Sequence, residues 1–399
     1  MKKMFLFFAV SLCSAQLFAQ QHLRVMMIFA HPDEGEVYTG GTTALYTQMG
    51  HTVKFMSLTN GDAGHWEEKP EVLAKRRYQE AMNSKKILNL EDYEVLDYHD
   101  QGLKNTKEAQ AKVIKSIEAF KPDVVFTYYP AQGGHTDNMT AGYIVRDAVK
   151  DLKMAKLPVF FYVRDYHTCT FSYIPAFAFS IDKVWEKKLE ACGAHRTQVA
   201  EAIPHDMGIL EEVKKNPELQ KSLINDNTYA FSKVFPTYLY ALEKWYGTEA
   251  ASKIKYAEAF ETAEFGRQIT QEEVFTYLPM LQRSYIIDST KEWVNTGIEI
   301  TKGEVIEMSA EGRFVWKREG RELCGPDGAD VYTRSANKPL PDASTGALIA
   351  RIGTDTKEPF LIGSKKTFVA PTSGKLYIGI NDDKMSDNDG EYRVWVKKQ

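Results

Sequence analysis

The sequence predicts an α/β fold, a Rossmann-like mostly parallel sheet with helices on both faces, followed by an all-β sandwich domain. Three observations predict it. Apolar runs alternate with helical stretches from residue 22 to about 165. The first run, Leu23-Arg24-Val25-Met26-Met27-Ile28-Phe29-Ala30, delivers His31-Pro32-Asp33-Glu34 into a loop. Around residue 290 the texture changes to short alternating runs separated by Gly- and Asp-rich turns. Strand–helix alternation implies a parallel sheet covered on both faces, and right-handed crossovers favour a Rossmann-like order. Short strands at regular spacing imply an antiparallel sandwich.

The expected strands of the first unit are Leu23–Ala30, Val53–Leu58, Tyr93–Tyr98, Val124–Tyr129 and Pro158–Val163. Helices are expected between them over Glu36–Met49, Glu71–Leu88, Lys107–Phe120 and Met139–Leu152. Residues 183 to about 270 read as mostly helical, with interleaved aromatics such as Phe235, Tyr238 and Trp245 expected in the core. In the tail, Gly303–Met308, Phe314–Trp316, Ala347–Ile352, Leu376–Ile380 and Tyr392–Val396 are the expected strands. The chain therefore divides into a signal peptide (1–20), an α/β domain (21–275), a linker (276–290) and a β-sandwich (291–399).

Met1-Lys2-Lys3 followed by a short apolar run to Ala19 has the pattern of a signal peptide, too short to span a membrane. Export to the periplasm or the extracellular space is expected. Beyond that segment remain Cys169, Cys192 and Cys324, an odd number that leaves at least one thiol unpaired. No Cys-x-x-Cys occurs, which argues against a thiolate zinc site. The net charge of -4 provides no basic field for nucleic acid.

The chemistry concentrates after the first strand. His31 and Glu34 are three residues apart, so one turn can aim both at a single ion. Asp33 lies between them and is free to take a proton from an activated water. After the fourth strand comes Gly133-Gly134-His135-Thr136-Asp137-Asn138. If the strand order reverses between the first and fourth strands, the two loops meet in the switch-point crevice. A dinucleotide-dependent oxidoreductase is not expected. No Gly-x-Gly-x-x-Gly follows the first strand, and the acidic groups there would repel a pyrophosphate.

Ala30–Glu34 resembles the Ala-His-Pro-Asp-Asp signature of the PIG-L/LmbE-like N-acetylglucosamine deacetylases. Further segments match in order: Leu58–Asp62, Arg77–Glu80, Asp100–Leu103, His135–Asn138, Lys188 with His195–Gln198, and Tyr256–Phe260. The resemblance implies a metal-dependent amide hydrolase acting on an N-acetylated sugar or glycoconjugate, with Zn²⁺ or another divalent metal. By position it makes His31, Glu34 and Asn138 the metal ligands and Asp33 the general base. His135 would assist at the oxyanion or the leaving amine, with Asp137 orienting it. Arg77 and Asp100 would contact substrate. Glu34 stands where the family has Asp, and Asn138 where it has His. A neutral amide oxygen is a poorer zinc donor than imidazole. The competing reading is a non-catalytic glycan-binding protein with a vestigial α/β domain.

In the tail, Trp293–Gly297, Ala347–Gly353, Leu376–Asp382 and Asp387–Gly390 resemble the calcium-dependent galactophilic bacterial lectins. That resemblance implies a Ca²⁺ site at Asp382, Asp387 and Asn388, where sugar hydroxyls complete the shell and the domain binds glycan. Oxygen-only donors suit calcium.

Overall fold

The computed structural model describes residues 22–131, 134–165, 175–270, 273–317, 322–329, 335–353 and 358–398. The expected signal peptide and Cys169 lie outside the described residues; Cys192 and Cys324 are buried free thiols.

Five strands form the parallel part of the first sheet: β1 (Arg24–Phe29), β2 (Thr52–Thr59), β3 (Asp92–Tyr98), β4 (Val124–Tyr128) and β5 (Val159–Val163). Their spatial order is β3-β2-β1-β4-β5, with parallel pairing throughout. β4 and β5 are buried at every position. That is why they read as continuous apolar runs rather than alternating ones. The helices are α1 (Glu34–Gln48), α2 (Pro70–Leu88), α3 (Lys107–Phe120) and α4 (Thr136–Val149). Their ends follow local rules. α2 opens with Pro70, whose missing N–H costs nothing there, and closes on Asn89 in the left-handed conformation. The Thr106 hydroxyl accepts the N–H of Ala109 to cap α3. The order reverses between β1 and β4, which opens the crevice at their C-terminal ends.

The region from 183 to 270 departs from its helical expectation. α5 (Trp185–Gly193) and the helices to Ala251 agree with it, but Ala257–Gly266 is a strand, β7. It pairs antiparallel with β5 and with a further strand, β6 (Phe177–Ser180). Ala257-Glu258-Ala259 has weak strand propensity, so tertiary contacts override it. The Glu258 carboxylate accepts N–H groups of Gly41 and Thr42 in α1 at 2.9 and 2.7 Å. Lys188 Nζ donates to Glu258 at 2.7 Å and to the Val37 carbonyl at 2.7 Å. This buried pair joins α1, α5 and β7. Gly41 permits Ile181, the residue after β6, to pack on α1: a Cβ there would lie 2.6 Å from it.

The C-terminal strands are β8 (Ser284–Asp288), β9 (Trp293–Ile300), β10 (Val305–Lys317), β11 (Glu322–Cys324), β12 (Leu348–Ile352), β13 (Phe360–Leu361), β14 (Lys365–Val369), β15 (Gly374–Ile380) and β16 (Asp389–Lys398). One antiparallel sheet runs β11-β10-β16-β8, with β14 also on β10; the other runs β13-β12-β15-β9. Ile306, Met308, Tyr392 and Val394 of the first share one core with Leu348, Ala350, Leu376 and Ile378 of the second. Two expectations are corrected. The two runs at Gly303–Met308 and Phe314–Trp316 are one strand, with Gly312 at φ +114° between them. The segment expected as linker contains β8, because β16 offers it a free edge. The units also touch: Glu311 Oε1 accepts the Thr248 N–H at 2.8 Å.

Removing one partner of a buried pair strands the other charge, at about 3–5 kcal/mol. Lys188→Met is expected to lower unfolding free energy by about that amount in urea titrations. A loss under about 1 kcal/mol would show that the pair is not a main tie between helix and sheet.

Candidate functional site

The crevice at the β1–β4 reversal holds a cavity of about 250 Å³, lined by His31, Asp33, Glu34, Arg77, His135 and Asn138 among others. Both expected loops reach it. Glu34 opens α1 and folds back: its Oε2 accepts the N–H groups of Ala30 and His31 at 3.0 and 2.7 Å. The longer Glu arm makes this return possible and leaves Oε1 facing His31 Nδ1 at 3.1 Å. On the other side of the ring, Nε2 lies 2.9 Å from Asp100 Oδ1 and 3.5 Å from Asp137 Oδ2. A neutral imidazole carries one N–H. Here both ring nitrogens face carboxylate oxygens, so the ring either takes a second proton or yields one side to another cation. Burial acts to lower the His31 pKa, but the Glu34 charge and the contacts with Asp100 and Asp137 outweigh it and hold the value well above the ordinary one. Glu34 and Asp100 respond reciprocally: burial would raise them, yet His31 keeps both below the usual carboxylate range.

The nitrogen–oxygen separation of 3.1 Å between His31 Nδ1 and Glu34 Oε1 suits two ligands of one tetrahedral ion. At about 2.0–2.1 Å from such an ion, two donors lie roughly 3.3 Å apart. The Asp100 contact is of the carboxylate–histidine kind that fixes the tautomer of a metal-binding imidazole. Ligand atoms of His31, His135 and Asp137 also lie within 4.8 Å of one another. The donors present therefore fit a divalent cation.

Asp33 is part-buried, with Oδ1 3.1 Å from an Arg77 nitrogen. Burial raises its pKa, partly offset by the positive charge of Arg77. Arg77 and Asp100, expected to meet substrate, are buried and engaged by the protein itself. Arg77 donates to the carbonyls of Gly61 and Pro32 as well as to Asp33 and Asp100, so it ties three loops together. Gly61 stands at φ +66°, and a Cβ there would lie 2.7 Å from the guanidinium. The Asp137 carboxylate accepts the N–H groups of Gln101 and Leu103 at 2.7 and 3.3 Å, beyond its approach to His31. Its expected role was to orient His135; the hydrogen bond here runs from the Asp137 N–H to His135 Nδ1 at 3.3 Å.

Asn138 is buried, and its Nδ2 donates to Asp165 Oδ2 at 3.2 Å. Asp165 escaped the sequence analysis, although an acidic residue just beyond β5, at the same sheet edge, was a readable signal. Glu36, which lies 3.1 Å from His195 Nε2, and Glu80, which accepts both the N–H and hydroxyl of Thr197, also went unassigned. They fix the 197–202 helical turn whose Gln198 lines the cavity. A second His/Glu group, His65 with Glu68 and Glu201, borders a cavity of about 490 Å³. His65 Nδ1 accepts two backbone N–H groups, leaving Nε2–H for Glu201, while Arg76 bridges Glu68 and Glu201. That arrangement is a closed ion-pair network.

In the tail, Asp382 Oδ1 accepts the N–H groups of Asp383 and Lys384, and Asp387 pairs with Lys384 Nζ at 2.9 Å. Asn388 Nδ2 donates to the Ser289 carbonyl at 3.0 Å. Asp382 Oδ2 and Asn388 Oδ1 are buried without a hydrogen-bond partner among the described residues.

Comparison with known proteins finds relatives that each match part of the chain. The chain is 27% identical over 204 residues to "Probable N-acetyl-alpha-D-glucosaminyl L-malate deacetylase 2" of Bacillus anthracis, which spans 48% of this chain and 90% of that protein. It is 29% identical over 194 residues to "Diacetylchitobiose deacetylase" of Thermococcus kodakarensis, 45% of this chain and 72% of the relative. Among solved structures, N,N'-diacetylchitobiose deacetylase from Pyrococcus horikoshii aligns at TM-score 0.45 and 21% identity, covering 61% of this chain and 84% of that one. A chain described as "EclA N-terminal domain; PllA-like lectin" aligns at TM-score 0.24 and 28% identity over 29% of this chain and 95% of its own. Residues 26–149, which run from β1 to the end of α4 and carry both loops of the cavity, match the family model described as PIG-L: GlcNAc-PI de-N-acetylase.

Proposed function

We propose that this protein is an exported, metal-dependent hydrolase that removes the N-acetyl group from an N-acetylated amino sugar or glycoconjugate. The observation that carries the reading is His31, buried with carboxylates against both ring nitrogens, in one cavity with Asp33 and His135. The deacetylase relatives and the family match over both cavity loops support the same chemistry. His31 and Glu34 would hold the ion, with Asn138 or Asp137 adding a further oxygen. Bound there, a divalent cation supplies Lewis acidity and brings a water's pKa toward neutrality.

The rest is work for this chain's own groups. Asp33 accepts the proton of the attacking water, whose oxygen bonds to the acetyl carbon. His135, which lines the same cavity, would stabilise the developing oxyanion or hand a proton to the nitrogen as the C–N bond breaks. The products are acetate and the free amine. The C-terminal sandwich is assigned to glycan, with calcium at Asp382, Asp387 and Asn388; the unpartnered buried oxygens of Asp382 and Asn388 support that assignment, and Asp387 would exchange Lys384 for the ion. Export rests on the N-terminal pattern of Lys2-Lys3 and the apolar run after it. No helix among the described residues is long and apolar enough to cross a membrane.

Acetate release from N-acetylglucosamine and N-acetylgalactosamine conjugates tests the reading, on metal-reconstituted protein. Asp33→Ala is expected to lower kcat by about 10²–10⁴-fold while metal stays bound. His31→Ala is expected to lose both. Retained turnover in Asp33→Ala would overturn the base assignment. Silence of the folded, metal-loaded wild type across the panel would favour the glycan-binding alternative.

The acid limb of kcat/KM supplies a second check. Burial raises the Asp33 pKa, so its base form is lost as pH falls through a value above the ordinary aspartate range. Activity is expected to decline at a higher pH than about 3.9, the value of a free Asp. An acid limb at or below that value would contradict the role.

A further inference from the structure

The hydrolysis itself does not account for what orients the carboxamide of Asn138. Its side chain is 1% exposed, and its two polar atoms are treated differently. Nδ2 donates to Asp165 Oδ2 at 3.2 Å, whereas Oδ1 is buried without a hydrogen-bond partner among the described residues. A buried amide oxygen left unmatched carries the uncompensated cost of its lost hydration. Flipping the amide would be worse, because it would turn that oxygen toward a carboxylate. Asp165 therefore fixes which end of the carboxamide faces away from it.

Asp165 is itself held rigidly. It lies just past β5, is 4% exposed, and its Oδ1 accepts the Tyr38 hydroxyl at 3.2 Å. Oδ2 also accepts the N–H groups of Gly134 and His135 at 3.3 and 3.4 Å. Every one of these contacts makes Asp165 an acceptor. Only the NH₂ end of Asn138 can satisfy it, so the oxygen is the end left for a cation. Asn138 lines the same cavity as His31 and Glu34.

We propose that Asp165 is a positioning residue that holds the Asn138 carboxamide with its oxygen available to the cation site, and that the resulting set of one imidazole and two oxygens lowers the site's preference for zinc over manganese. The inference rests on the reading of His31 and Glu34 as cation ligands. Imidazole favours zinc, whereas carboxylate and carbonyl oxygens suit harder ions such as Mn²⁺. Residues that orient a metal ligand in this way typically control affinity by about 10–100-fold.

The test reads binding, not turnover, so failure of the deacetylase assignment leaves it intact. Full-length protein is stripped of metal and titrated with ZnCl₂ and with MnCl₂ against a chromophoric competitor, with His31→Ala as the blank for other sites. Asn138→His is expected to raise the zinc-to-manganese affinity ratio at least tenfold. Asp165→Asn replaces an acceptor-only carboxylate with an amide that can also donate, lets the Asn138 amide turn, and is expected to weaken both metals at least tenfold. In Asp165→Asn/Asn138→His, an imidazole needs no amide orientation, so zinc affinity is expected to return to within a few-fold of Asn138→His. Failure of the double variant to recover zinc, in protein that melts like wild type, would show that Asp165 serves only the 134–135 loop and would overturn the proposal. An unchanged ratio in Asn138→His would overturn it too. Wild type that binds neither metal above the blank would overturn this inference together with the cation-site reading beneath it.

Discussion

The constraint on which the site depends is the placement of one imidazole between carboxylates. His31 sits where β1 ends, with Glu34 on Nδ1 and Asp100 on Nε2. No neutral histidine satisfies both sides. The surroundings are arranged to keep that conflict in place. Glu34 is pinned by the N–H groups of Ala30 and His31, Asp100 by Arg77, and Asp137 by the 101–103 loop. Each carboxylate that could swing away is tied to backbone or to a guanidinium. A positive charge at this point, proton or metal ion, relieves what would otherwise be mutual repulsion among buried anions.

The fold supports that cluster with buried ionic ties that reach across elements distant in sequence. Lys188 and Glu258 bind α1 to β7, and Glu80 holds Thr197 so that Gln198 meets the cavity. Arg77 joins the loops after β1, β2 and β3. Several segments that resemble family motifs thus act through placement: they set the loops whose ends carry the chemistry. Removing one such tie leaves an unpaired buried charge, which is why each is restrictive.

Much of this was legible from the sequence. The apolar runs located the parallel strands because burial on both faces leaves them continuously apolar. The reversal between β1 and β4 brought His31 and His135 together as the two-loop pattern implied, with ring centroids 4.9 Å apart. What escaped notice shares one physical cause. β7 lacks strand propensity and is held by Glu258, a contact 216 residues from Thr42. β8 is a strand only because β16 presents an edge. Asp165 gains its meaning from Asn138, 27 positions away. The resemblance alone sets Arg77 and Asp100 toward substrate; both line the cavity, and their second task, pairing with each other and holding the loops, shows only in the structure. Long-range pairing of single side chains leaves no periodic trace in a sequence.

The central claim is that a divalent cation binds between His31 Nδ1 and Glu34 Oε1, in place of the ring's second proton. Calorimetric titration of stripped protein with ZnCl₂ at pH 7, repeated in buffers of different ionisation enthalpy, counts protons released on binding. The raised His31 pKa leads to an expected release of about one proton per bound ion, absent in His31→Ala. Binding without proton release, or release unchanged in His31→Ala, would contradict the account.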